Sequence, residues 1–295
     1  MTISIDRLVK SDVYGYSFLA KLYKQIISQE KELEWFVDFA GCIHFDANLS
    51  AALGAILNKL EEEGYRVGIK NIKGGVRRTL SRNCFLKVFS NEATSLEKED
   101  FIEYKKFCCN ESTSFKQYIK TGLIEKQNFP KHTERAGDKV LESIYEIYAN
   151  ATNHGDCSHV FCCGELHGDI NPVLDVTIVD CGNTIMHNVN KYTKKKGLIT
   201  MNACEAIEWS MKSGNTTKDV PGGLGLAILQ DFIMLNKGAL QIVSANGMLE
   251  YRNDNTTTSF LTDSFPGTIV NMEFNCKDEN IYKLPNEIVD INNLL

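Results

Sequence analysis

The stretch Asp138-Lys-Val-Leu-Glu-Ser-Ile-Tyr-Glu-Ile-Tyr-Ala-Asn-Ala-Thr-Asn153 decides how the second half of the chain is read. Val140, Leu141, Ile144, Ile147, Tyr148 and Ala151 recur at spacings of three and four, which predicts one amphipathic helix. Glu146 and Asn150 stand four apart on it, so a carboxylate and an amide share one face, one turn from each other. Such a face offers a hard oxygen ligand for magnesium and a carboxylate that can orient or deprotonate a nucleophile. The same pair also suits a plain solvated helix face, so the neighbouring segments must decide.

Downstream, 158–166 and 173–179 are predicted strands, and the second runs directly into Asp180-Cys-Gly182. A carboxylate at a strand end can accept a hydrogen bond from an exocyclic amine, and a glycine beside it permits close backbone approach. A loop-rich stretch, 181–200, precedes a helix at 202–212. Then Gly222-Gly-Leu-Gly-Leu226 opens a helix that runs through Leu235. Glycines entering a helix expose consecutive N–H groups at the positive end of its dipole, a site suited to phosphates. The Gly-Lys-Ser/Thr of a P-loop is missing, and no strand immediately precedes these glycines as in a dinucleotide fingerprint. Strands at 239–244, 248–252 and 268–274 complete the half, the last entered through Pro266-Gly267-Thr268.

The ordered set E-x-x-x-N-A, D-x-G, G-G-L-G-L and G-T, spread over about 134–277, resembles the Bergerat-fold (GHKL) superfamily of ATPases and kinases. The resemblance implies an α/β sandwich of mixed sheet with helices on one face and ATP held between them. It makes Glu146 the general base, Asn150 the Mg2+ ligand and Asp180 the adenine reader, with Asn153 and Gly182 also at the nucleotide. Gly222, Gly223, Leu224, Gly225 and Leu226 become the phosphate clamp and Thr268 a further phosphate contact. The stretch 182–221 becomes an ATP lid whose Thr217 and Lys218 reach the γ-phosphate. Two positions depart from the family pattern: Thr184 stands where a second glycine is usual, and Pro221 where many members carry glycine.

In the first half, helical spacing predicts a helix over 14–30, a strand over 34–39, a helix over 47–63 ended by Gly64, a strand over 65–72 and a helix from Val76. Strand, helix and strand within about forty residues predict a βαβ unit. The run Val37-Asp-Phe-Ala-Gly-Cys-Ile-His-Phe-Asp46, the small-residue helix after it and Gly64-Tyr-Arg-Val67 resemble STAS domains of anti-sigma-factor antagonists. The phosphorylated Ser that usually follows the Asp is replaced by Ala47-Asn48, with Ser50 as a substitute. The expected division is a STAS-like domain over 1–100, a partly helical connector over 101–133, an ATP-binding domain over 134–280 and a tail over 281–295.

Composition sets the outer limits. The chain has 295 residues, 43% of them hydrophobic and 24% charged, which favours two ordinary globular domains and excludes disorder and collagen-like repeats. Its 38 acidic against 32 basic residues give a net charge of −6 and make nucleic acid a poor direct ligand. No membrane span or secretory signal is visible, and the expected location is cytoplasmic. The ten cysteines form no C-x-x-C pair, so reduced thiols are expected. His154, Cys157, His159, Cys162, Cys163 and His167 have zinc-ligand chemistry, but strand alternation throws Cys162 and Cys163 onto opposite faces.

Three functions fit these observations. The first is an Mg2+-dependent ATP-binding and hydrolysing regulatory switch whose ordered lid controls contact with a partner protein or a second copy. The others are an anti-sigma-type protein serine/threonine kinase and a nucleotide sensor without turnover. His132 precedes Thr133 rather than an acidic residue, which argues against a histidine phospho-acceptor.

Overall fold

Asp12 starts the first long helix: its carboxylate accepts the N–H groups of Tyr14 and Gly15, both at 2.9 Å, as an N-cap does. The computed structural model describes residues 1–90, 100–212, 214–217 and 225–287. The first half runs β1 (Thr2–Ser4), β2 (Leu8–Val9), α1 (Val13–Ile27), β3 (Glu34–Asp38), β4 (His44–Phe45), α2 (Ser50–Glu62), β5 (Arg66–Lys70), α3 (Gly74–Arg82) and α4 (Phe85–Phe89). The second runs β6 (Phe101–Cys108), α5 (Ser112–Ile119), α6 (Glu134–His154), β7 (His159–His167), β8 (Val173–Asp180), α7 (Ile185–Lys195), α8 (Ala203–Met211), α9 (Gly225–Leu235), β9 (Ala239–Arg252) and β10 (Asn255–Asn275).

The chain is mixed α/β with several sheets. A parallel sheet of order β1-β3-β5 contains the expected βαβ unit, with α2 as the crossover between β3 and β5, and β2 pairs β4 in a small parallel ladder. The main sheet has the order β6-β7-β8-β10-β9, and each of its ladders is antiparallel. The expectation of a mixed sheet covered on one face is therefore corrected twice. One face carries α5, α6, α8 and α9 through a core that includes Phe115, Ile144, Tyr148, Ile207, Leu229 and Ile233. The other face is covered by α1 and α2 from the first half, whose core continues into Phe161, Cys163, Val179, Val243 and Phe265 of the sheet.

The helix α2 shows why the halves do not separate. Ser50, Ala51, Ala52, Leu53, Gly54, Ala55, Ile56 and Leu57 are all buried, so the first two turns of α2 are covered all round and lie between the two sheets. Small side chains permit this approach: a Cβ on Gly54 would overlap the Tyr104 ring of β6. Cys162 faces one core and Cys163 the other, as alternation requires. All ten cysteines are free thiols.

A buried polar chain also crosses the seam. The Asn48 amide donates to Thr177 Oγ1 at 2.9 Å and to Asn271 Oδ1 at 3.0 Å, and Thr177 Oγ1 donates to Asn271 Oδ1 at 2.6 Å. The Asn271 amide and the Tyr16 hydroxyl both donate to Gln241 Oε1, at 3.2 and 2.9 Å, and Ser11 Oγ donates to Asn48 Oδ1 at 3.0 Å. Satisfied networks of this kind fix one docking geometry, because any shift leaves several groups without partners.

The domain limits shift accordingly. The segment 101–133, expected as a connector, begins with β6 as an edge strand of the main sheet, and Phe107, Phe115, Ile119, Leu123 and Phe129 belong to the same core as α6. The tail expected from 281 opens with Tyr282, whose ring stands 4.9 Å from that of Phe232 and whose backbone bridges His132. The loop-rich stretch 181–200 contains α7, and strand β10 begins at Asn255 rather than at Thr268. No helix among the described residues is long and apolar enough to cross a membrane.

Because the halves share a core, denaturant should unfold the chain in one cooperative transition. Asn48→Ala should lower its stability by about 2–3 kcal/mol. Urea unfolding followed by far-ultraviolet dichroism and by tryptophan fluorescence checks this; two separate transitions, only one of them shifted, would contradict the shared core.

Candidate functional site

Strand alternation builds the floor of a cleft. On β8, β10 and β9 the residues Ile178, Val270 and Ile242 face the helices, while their neighbours Thr177, Asn271 and Gln241 face the seam just described. The cleft encloses about 1070 Å3 of non-atom space, its open mouth included, and is walled by α6, α7, α8 and the start of α9. Its lining brings together Glu146, Asn150, Asp180, Thr217, Leu226 and Thr268, which the sequence singles out from positions more than 120 residues apart.

Helix α6 supplies the first wall. Thr133 caps it by accepting the Ala136 N–H at 3.3 Å, and Ile144 and Tyr148 anchor it in the core. Glu146 and Asn150 are half-buried and stand one turn apart on the cleft side. Asn153 is exposed and outside the lining, so its expected place at a ligand is not supported by its position.

Asp180 ends β8 at the bottom of the cleft. It is only 7% exposed, and its Oδ1 accepts the Gly182 N–H at 3.0 Å. Burial pushes its carboxyl up to about 7, because the charged form loses its water, while hydrogen bonds from the backbone of Gly182 and Thr268 oppose the rise. Gly182 itself is outside the lining. Its missing side chain serves a different contact from the one expected: a Cβ there would overlap the carbonyl of Gly155 at the end of α6, an oxygen that accepts the Asn183 N–H. The D-x-G turn is therefore the point where α6 is tied to β8.

Thr268 stands directly opposite Asp180 in the β8–β10 ladder. A Cβ on Gly267 would overlap the Asp180 carbonyl, so that glycine lets β10 cross the strand end. Ser244 completes the corner: buried, it donates to the Gly267 carbonyl and accepts the Ile185 N–H, each at 2.9 Å, and it lies 3.1 Å from Thr268 Oγ1. Sequence reading missed Ser244, because a serine inside a strand carries no motif. Also missed are Asn183, Asn188, Trp209, Asn215 and Thr216 of the lining, which belong to no recognisable spacing.

Among the described residues, the outer wall is built from two capped helices. Thr184, found where the family pattern has glycine, caps α7 by accepting the His187 N–H at 3.2 Å. Asn202 and Glu205 form a capping box at the start of α8. Asn190 joins the two helices through both backbone groups of Met201, at 2.8 and 2.7 Å. Of the glycine-rich segment, Gly225 begins α9 and Leu226 lines the cleft, whereas Lys218, Gly222, Gly223 and Leu224 lie outside the described residues.

Ser50, the substitute phospho-acceptor, is fully buried and accepts the Asn83 amide at 2.8 Å, so it is closed to a kinase in this structure. No protein-family model matches the chain, and no curated protein matches it in sequence.

The raised Asp180 carboxyl has a signed consequence. Its folded value of about 7 exceeds the ordinary 3.8, so the stability it contributes is present below pH 4 and lost as pH rises towards 7. Asp180→Asn should remove that slope and leave the protein about 2–4 kcal/mol more stable than the parent at pH 8. Urea midpoints between pH 4 and 8 test it; parallel curves for the two proteins would show that the carboxyl is not desolvated.

Proposed function

We propose that this protein is a Bergerat-fold, GHKL-type regulatory ATPase with a STAS-like first half, in which nucleotide bound in the cleft sets the position of the α7–α8 lid against a partner protein. The observation that carries the reading is the meeting of four separated motifs in one cleft: Glu146 and Asn150 on α6, Asp180 with its partner Thr268 on the floor, and Leu226 at the start of α9. A desolvated carboxylate at the end of an apolar floor suits an adenine, whose exocyclic amine donates to it while Ile178, Ile242 and Val270 cover the ring. The position of Thr268 opposite Asp180 favours a contact at the base end of the ligand over one at the phosphates.

The donor set also suits magnesium. The Asn150 amide oxygen is a hard ligand on the α6 wall, and Glu146 is one turn away to orient or deprotonate a water. Bound Mg2+ would neutralise charge on phosphate oxygens. Beyond that, the chain's own residues do the work: Asp180 reads the base, the apolar floor excludes water, and Glu146 handles the proton of the nucleophile.

The switch is favoured over a kinase acting within the chain by the burial of Ser50 against Asn83. It is favoured over a passive sensor by the placement of Glu146 on the cleft wall.

Asp180→Asn should weaken Mg2+-ATP binding by about 100-fold or more, since the amide presents a donor to the adenine amine. Glu146→Ala should keep affinity within about threefold and lower turnover by about 100-fold or more. Calorimetric titration with a non-hydrolysable analogue, together with release of label from γ-labelled ATP, measures both. Label appearing on protein instead of as free phosphate would replace the switch with a kinase, and unchanged affinity in Asp180→Asn would sink the cleft assignment.

A further inference from the structure

The lid helix α7 carries two different faces. Its cleft side presents Ile185 and Val189. Its far end presents Lys191, Lys194, Lys195 and Lys196, all exposed, followed by Leu198 at 60% and Ile199 at 86% exposure. From Gly182 to Ala203 there is no acidic residue, in a chain whose net charge is −6. Among the described residues none of these four lysines pairs with a carboxylate; Lys196 instead sits 5.9 Å over the Tyr192 ring.

The backbone that carries the aliphatic pair is held by hydrogen bonds. Gly197 takes a positive φ of 68°, which ends the helix, and the Leu198 N–H donates to the Thr193 carbonyl at 2.9 Å. The paired Asn190–Met201 bonds close the other side of the turn. Tyr192 rests 5.8 Å from Trp209, which lines the cleft, so the turn is joined by packed rings to the wall of the nucleotide site.

We infer that the Lys194–Ile199 turn is a docking site for an acidic protein partner, in which Leu198 and Ile199 enter an apolar depression rimmed by carboxylates. Four lysines without a carboxylate partner among the described residues, beside two exposed aliphatic side chains, match that chemistry. A lipid surface fits less well, because the outward side of α7 carries the exposed His187, Lys191, Lys194 and Lys195 and offers no apolar stripe to insert. Single-stranded nucleic acid fits less well too, because the aromatic ring of α7, Tyr192, is engaged with Trp209 rather than free to stack. The surface stands on its own observations, and only its control by nucleotide rests on the reading of the cleft as an ATP site.

Random twelve-residue peptides displayed on phage are selected against the full chain with Mg2+ and a non-hydrolysable ATP analogue. They are counter-selected against the doubly substituted Leu198→Ser, Ile199→Ser protein, both positions being exposed and harmless to the fold. The expected peptides carry an apolar side chain flanked by Asp or Glu. They should bind about tenfold more weakly to a Lys194→Glu, Lys195→Glu protein, and several-fold more weakly when salt is raised from about 0.05 to 0.3 M. Failure to obtain peptides that distinguish the parent from the serine variant would overturn the proposal, as would a selected set without carboxylates. Binding to vesicles with about 30% phosphatidylserine, or to a single-stranded oligonucleotide, lost in the same variant would overturn it in favour of lipid or nucleic acid. ATP titration of the same preparation separates the two readings: site-specific acidic peptides from a protein that binds no ATP would uphold the surface and refute the nucleotide cleft.

Discussion

The pairing of β8 with β10, residue for residue from Val173 with Asn275 to Asp180 with Thr268, is the constraint on which the other features rest. Because side chains alternate, one register delivers Ile178, Asp180, Thr268 and Val270 to the cleft and Thr177, Val179, Ile269 and Asn271 to the seam. A slip of one residue would exchange the two sets. It would put Asn271 and Thr177 on the cleft floor and leave Asn48 and Gln241 without partners. The cleft and the interdomain seam are thus two readings of the same strands, and neither can be altered in register without the other.

Legibility followed periodicity and spacing. Helix α6 was legible because Val140, Ile144, Ile147 and Ala151 mark a stripe; Glu146 and Asn150 were legible from their spacing of four on it, and Asp180 and Thr268 because glycines and strand ends punctuate them. Strand β6 was not, since Lys105 and Lys106 interrupt its alternation, as an exposed edge allows. Helix α7 was hidden by its polar outer face and by Thr184, which acts as a cap at a position read only as a departure from the glycine pattern. The covering of the back of the sheet was invisible for a different reason. It depends on contacts such as Tyr16 with Gln241, 225 residues apart, and no local pattern encodes which apolar face meets which.

Asp180 shows a tension between folding and use. Its carboxyl is held in a place that penalises charge, and only the Gly182 and Thr268 backbone groups partly offset that cost. An acceptor stripped of water bonds strongly to any donor that reaches it, so the cost is concentrated at the end of β8 that lines the cleft. The glycines at 155, 182 and 267 allow the close approaches that keep the carboxylate there.

The burial of the first two turns of α2 on every side bears on how the chain comes together in time. Residues up to 90 can form β1, β3, β5 and their helices, but the second face of α2 meets its cover only when β7 and β8 are present, and that of α1 only with β10. During synthesis the early half therefore carries an apolar surface with nothing over it until more than 250 residues have been made. The main sheet, whose ladders pair residues as distant as Val173 and Asn275, has the non-local pairing that slows folding. Transiently uncovered apolar surface of this kind is prone to aggregate, a hazard set by the same two-sided sheet that gives the finished protein its cleft.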